Sequence, residues 1–221
     1  LFLPALLLSV WVLKATPQPD DRDRLLRSER DPMPRAQRHE FFKAYWPGLS
    51  LMVLIYVALT VVRTVRDDFG VEIWRDMGVD RKPSVFATSE MVVAICVTAL
   101  NAAAIWIRHN LAAIRMAGGL MCAAFVLVAG AAGLQSAGVI SPFVFMVACG
   151  VGLYIPYVAF HTTVFERLVA ASTKPGNLVF LMYVADTVGY LGYALVMGVK
   201  TAFPTPGVML PFFRATLWVV S

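Results

Sequence analysis

Long apolar runs separated by short charged stretches set the pattern of this chain. Five runs, at residues 45–62, 85–107, 116–134, 143–165 and 178–199, approach or exceed the roughly 20 residues that cross about 30 Å of hydrocarbon at about 1.5 Å of rise each. Each is bounded by charge or by Pro and Gly. The pattern predicts five complete membrane-spanning helices. Two further apolar stretches stand at the ends, LFLPALLLSVWVL at 1–13 and PFFRATLWVVS at 211–221, each about half a bilayer deep. Residues 1–13 lack the basic n-region and small-residue cleavage site of a signal peptide, so they read as the end of a span. The expectation is an all-α, polytopic transmembrane bundle of about seven spans, the outer two incomplete and the chain cut at both ends.

Composition agrees. The chain is 59% hydrophobic and 15% charged with a mean hydropathy of +0.70, against about 25% charge in an ordinary soluble domain. The net charge of +5 follows from topology. Segments 14–43, 108–115 and 166–177 carry twelve Lys and Arg residues, whereas the alternate segments carry six: Arg63, Arg66, Arg75, Arg81, Lys82 and Lys200. The positive-inside rule puts the first set in the cytoplasm. No aromatic and basic platform accompanies the charges, so nucleic acid is not an expected partner; the lipid bilayer is. Residues 14–44 read as a charged cytoplasmic linker, with room between its prolines for a short helix near 21–30, and residues 45–221 as the bundle.

No phosphate-cradling glycine loop, zinc spacing or nucleophile elbow occurs, so neither an enzyme nor a cofactor or metal site is expected. Cys96, Cys122 and Cys149 fall in different spans and read as reduced apolar fillers.

Polar residues inside spans carry more information, because an ionisable group facing lipid costs at least about 2.5–3.5 kcal/mol. Residues three and four apart share a helix face. Tyr183, Asp186, Tyr190 and Tyr193 form one such stripe; Glu90, Ala94, Thr98 and Asn101 a second; Tyr56, Thr60, Arg63 and Asp67 a third; Gly150, Tyr154, Tyr157 and His161 a fourth. The span at 116–134 has none, and its Gly118, Gly119, Gly130 and Gly133 suggest a face for close helix contact. Four helices around a wet cavity and one at the periphery would account for this; a dry bundle held by hydrogen-bonded seams is the alternative. Pro156, beside Gly150 and Gly152, predicts a kink between 150 and 160.

The segment RTVRDDFGVEIWRDMG, 63–78, concentrates three cations (Arg63, Arg66, Arg75) and four anions (Asp67, Asp68, Glu72, Asp76). It reads as the end of one span bending at Gly70 into a short amphipathic helix. Arg63 would meet Asp67 one turn on, Glu72 would meet Arg75, and Glu90 would pair with Arg63 at the rim. Ion pairs there would be a gate latch or a static interfacial loop.

The arrangement resembles the carboxy-terminal half of a major facilitator transporter. With 1–13 as the end of helix six, the charged linker becomes the central loop, and the stripe-free span becomes helix nine, peripheral in that superfamily. More narrowly, RTVRDDFGVEIWRDMG, PSVFATSE, YIPYVAF, FERLVA and GNLVFLMYVADTVGYLGY resemble an uncharacterised family of bacterial, major-facilitator-like membrane proteins. The loop RHNLAAIRMAGG lacks the acid of the superfamily's usual cytoplasmic gate. The resemblance implies a bacterial inner-membrane secondary transporter, completed by an amino-terminal half, that moves a small polar or anionic solute through a midplane site. Asp186 or Glu90 is then the candidate proton-coupling carboxylate, with Tyr183 and Tyr190 placed to hydrogen-bond Asp186. A non-transporting membrane subunit or sensor with the same fold is the alternative.

Overall fold

A computed structural model describes residues 2–17, 34–79, 83–104, 110–171, 177–202 and 209–221. Every regular element among them is helical. The expected short helix at 21–30 lies outside the described residues. The chain divides into two units, Leu1–Pro32 and Met33–Ser221. The first contains α1, Phe2–Ala15, an apolar helix of 14 residues whose side chains from Leu6 to Leu13 are exposed.

The second unit contains α2 (Arg35–Asp68), α3 (Gly70–Asp76), α4 (Pro83–Ala104), α5 (Asn110–Ser136), α6 (Pro142–Ala159), a π turn (Phe160–Val164), α7 (Phe165–Ala171), α8 (Leu178–Ala202) and α9 (Met209–Val220). Five helical stretches are long and apolar enough to cross a membrane: α2, α4, α5, α8, and α6 with its continuation to Val169. At 34 residues, α2 is about 51 Å long, well beyond the apolar thickness it has to cross. It begins at Arg35, inside the stretch expected to be linker, because RAQRHEFFKA continues the helical register with no breaker after Pro34.

Helix starts follow local chemistry. The Ser141 side chain accepts from the Val144 N–H at 3.3 Å, and Pro142 opens α6, where its missing donor is harmless. Asn177 Oδ1 accepts from the Phe180 N–H at the start of α8. The first turn of α9 is satisfied from a distance: Asp76 Oδ2 accepts from the Leu210 N–H at 3.0 Å.

The centre of the bundle is α2. Its buried Tyr56, Leu59, Val62 and Val65 meet Phe145, Met146, Cys149 and Leu153 of α6 and Ala185 of α8, and Phe213 and Leu217 of α9 complete the core. Helix α8 lies close on α2, where an added Cβ at Gly189 would sit 3.2 Å from Thr60 Oγ1 and one at Gly192 2.9 Å from Val57. All three cysteines are free, and Cys149 is fully buried.

Two expectations are corrected here. The glycines of α5 do not make the close helix contact: Gly118, Gly119 and Gly130 are exposed, and no atom lies within 4 Å of a Cβ built at these positions or at Gly133. The buried face of α5 is made by Ala113, Ala117, Ala124, Val128 and Ala131, and the glycine that lets the helices approach is Gly152 on α6, against the Ala124 carbonyl. The bend after α2 is not at Gly70. It is at Phe69 (φ −111°, ψ 19°), a backbone conformation open to most residues, with positive φ confined to Gly78 and Gly138 among the described residues. Around the position of the expected kink, α6 stays α-helical through Pro156 and a π turn follows at Phe160–Val164. Pro156 removes the donor for the Gly152 carbonyl, and Thr162, Thr163 and Val164, three β-branched residues in a row, weaken the α register just beyond.

Candidate functional site

The polar stripes of α2 and α6 meet, and Asp186 of α8 and Glu90 of α4 join them. Along α2 the residues Tyr56, Arg63, Arg66 and Asp67 reach neighbouring helices over about three helical turns. They nucleate three connected groups.

The first centres on Arg66, whose side chain is 1% exposed. Its guanidinium forks onto Glu90, with Nη2 to Oε1 at 2.7 Å and Nη1 to Oε2 at 3.3 Å. Nη1 also donates to Asp67 Oδ1 at 3.2 Å, and Nη2 to the backbone carbonyl of Met146 at 3.1 Å. One cation thereby ties α2, α4 and α6 together. Gly150 makes room for it, because a Cβ there would be 2.8 Å from Arg66 Nη2. A fork of planar donors suits this position better than a point charge, since the guanidinium grips Glu90 at two points and still donates to Asp67 and the Met146 carbonyl, four bonds against the three an ammonium can make.

The second group centres on Asp67. Its Oδ2 accepts from Arg63 Nη1 at 3.1 Å and from the Tyr154 hydroxyl at 2.7 Å. The Arg63 guanidinium carbon lies over the ring of Tyr157, 4.3 Å from the centroid, and 5.6 Å from that of Tyr154. Two guanidinium cations are therefore balanced by two carboxylates, Asp67 and Glu90, and the rim end of the site is close to neutral.

The third group lies deeper. The fully buried Tyr56 hydroxyl donates to Asp186 Oδ1 and is 2.7 Å from His161 Nε2. The Tyr157 ring stacks on Tyr56, with centroids 5.8 Å apart, and lies 4.9 Å from the ring of His161. Asp186 thus faces a phenol and an imidazole and is paired with neither arginine.

Of the residues singled out by spacing, Arg63, Arg66, Asp67, Glu90, Tyr154, Tyr157, His161 and Asp186 come together. Tyr193 donates to Asp68 at the end of α2, a separate contact. Asn101 turns back on its own helix, Nδ2 to the Val97 carbonyl at 2.8 Å. Glu72 and Arg75 are exposed and form no ion pair with each other.

Two pairings differ from expectation. Glu90 pairs with Arg66 and not with Arg63, which is held by Asp67 and the tyrosine rings. Tyr183 and Tyr190 are 69% and 51% exposed, and the hydroxyl on Asp186 is that of Tyr56. Tyr56 sits on a recognised stripe, yet spacing within one helix gave no sign that it is the residue reaching Asp186. The Met146 carbonyl left no signal in side-chain pattern at all.

No curated protein and no solved structure matches the chain. A family description does match it, over residues 1–221. On that match the chain belongs to DUF5690, a family of unknown function.

Proposed function

We propose that this protein is a secondary transporter, major-facilitator-like in its arrangement, that couples movement of a small polar or anionic solute to a proton. The observation that carries the reading is Asp186, a carboxylate about eight residues, or roughly 12 Å, into a membrane-length helix and turned toward a phenol and an imidazole. An ionisable group at that depth is expensive to keep unless it does chemistry there, and binding and releasing a proton is the chemistry these partners permit. The Arg66–Glu90–Asp67 cluster supports the reading as a latch. It joins three helices at the α3 end of the bundle and has one half-exposed member, Glu90, through which it can be opened.

The test is reconstitution into liposomes loaded with a pH-sensitive dye, screened against a panel of small polar and anionic solutes with and without a proton gradient. Solute-dependent proton flux is expected. Its absence across the panel would overturn the transport reading. The alternative is a non-transporting subunit or sensor, and the observation favouring it is Arg66 itself, buried with four hydrogen bonds as a fixed brace would be.

A further inference from the structure

We propose that His161, Tyr56 and Asp186 form one proton-sharing unit, in which the Tyr56 phenol passes a proton between the imidazole on the π turn and the carboxylate on α8. The proposal rests on the proton-coupled reading above and deepens it: the coupling group is a relay of three side chains and not a lone carboxylate.

The argument begins with what a phenol can do. It holds one proton to donate and lone pairs to accept. Tyr56 gives its proton to Asp186 Oδ1, so its contact with His161 Nε2 at 2.7 Å is satisfied when Nε2 carries hydrogen and donates. His161 Nε2 and Asp186 Oδ1 are 3.7 Å apart, too far for a good direct bond, so the phenol is the connection. Burial has the matching pattern. Tyr56 is 0% exposed, while the side chains of His161 and Asp186 are 19% and 32% exposed. The bridge is dry and both of its ends are open.

The transfer balances. The imidazolium Nε2–H bond breaks as a new O–H forms on the phenol, and the original phenol proton moves to Asp186 Oδ1. Tyr56 is neutral before and after. The net change converts imidazolium and carboxylate into imidazole and carboxylic acid, removing two charges from membrane depth, where charges are unfavourable. Among the described residues, the titratable and charged groups facing the unit are Tyr157 of α6 against both rings, Arg63 of α2 over Tyr157, and Tyr190 of α8 near Tyr157. Arg63 is itself neutralised by Asp67. The π turn, Phe160–Val164, carries His161 to this position, and such turns recur at functional sites.

The test needs no solute. In nanodiscs, ¹⁵N-histidine NMR reports the tautomer and titration of His161, assigned by His161→Gln, and infrared difference spectroscopy reports the protonated carboxyl band of Asp186, assigned by Asp186→Asn. In the unaltered protein His161 should carry hydrogen on Nε2 while Asp186 is a carboxylate, and loss of that proton, leaving imidazole with hydrogen on Nδ1, should coincide with the appearance of the Asp186 carboxyl band. Tyr56→Phe keeps the stacked ring and removes the bridge, so the two titrations should separate. A His161 that keeps hydrogen on Nε2 while the Asp186 carboxyl band appears, or Tyr56→Phe titrations that match the unaltered protein, overturns the relay. If the relay is present but no solute drives proton flux, the transport reading fails and the relay stands. Gradient-driven flux undiminished by both Tyr56→Phe and His161→Gln leaves transport intact and removes the relay from it.

Discussion

Gly152→Ala decides which surfaces hold α5 against α6. A Cβ at position 152 would lie 2.8 Å from the Ala124 carbonyl oxygen, and closer still to the Val128 side chain. Carbon and carbonyl oxygen rest at about 3.3–3.6 Å, so the two helices must separate by about half an ångström, and backbone cannot swing aside as a side chain can. Overpacking of this kind costs about 1–3 kcal/mol, and the better helix propensity of alanine returns about 0.5–1 kcal/mol. The expected net loss is about 1–2 kcal/mol. In lipid no hydrophobic force drives two helices together, so close packing carries more of their association. At Gly130 no atom lies within 4 Å of the added Cβ, and only the propensity gain remains. Purified variants in detergent would be compared by thermal unfolding, followed by tryptophan fluorescence. At about 2–4 °C per kcal/mol for a chain of this size, Gly152→Ala should lower the midpoint by about 2–8 °C. Gly130→Ala should not lower it. Gly150→Ala should fall between them, because its nearest obstacles, Val93 Cγ2 at 2.5 Å and Arg66 Nη2 at 2.8 Å, belong to side chains. If Gly118→Ala or Gly130→Ala destabilises as much as Gly152→Ala, the glycine face of α5 is the packed one and the assignment of faces is wrong.

Three other outcomes follow from the site. In a double-mutant cycle in detergent, Glu90→Gln should destabilise more than Arg66→Met, because it leaves the cations of Arg63 and Arg66 to share the single carboxylate of Asp67 whereas the reverse leaves a half-exposed carboxylate; the coupling should be about 1–3 kcal/mol, and a value below about 0.5 kcal/mol would deny the pair an energetic role. Asp76→Ala removes the acceptor of the Leu210 N–H, so α9 should lose about 1 kcal/mol at its first turn, read as faster hydrogen exchange at residues 210–212 with the other helices unchanged. In liposomes, Asp186→Asn should abolish gradient-driven accumulation while solute exchange persists, and Glu90→Gln should alter the rate of exchange; undiminished accumulation by Asp186→Asn would leave that residue a structural hydrogen-bond partner.

The spans and the inward stripes of α2 and α6 were legible because each depends on one helix at a time, whereas on α4 Glu90, Ala94 and Thr98 are exposed beside a buried face of Ser89, Val93 and Val97. Hydropathy over about 20 residues marks a membrane crossing, and spacing by three and four marks a face. Burial of Tyr56 and Thr60, and the meeting of Tyr154, Tyr157 and His161 with α2, agree with that spacing. The face of α5 was not legible. Its glycines and alanines are interleaved, and both are small and apolar, so in a helix apolar on all sides neither composition nor period separates a packed stripe from an exposed one. The informative glycine lay on the partner helix.

Pairing across helices was hidden for a related reason. Arg63 and Arg66 are three residues apart on one face, separated by about 4.5 Å along the axis, and either is within reach of a carboxylate on α4. The choice rests on the axial register of α2 against α6, which puts the Met146 carbonyl beside Arg66 and the rings of Tyr154 and Tyr157 beside Arg63. Once the rings take Arg63, Arg66 is left for Glu90. The same logic governs the deeper site: Tyr183 and Tyr190 share a stripe with Asp186 and cannot easily turn onto their own helix axis, whereas Tyr56 approaches from across the α2–α8 contact that Gly189 and Gly192 keep short. A carboxylate inside a bundle is satisfied from a neighbouring helix, so the stripe on α8 locates the acid, and the small residues opposite α2 determine which hydroxyl can reach it.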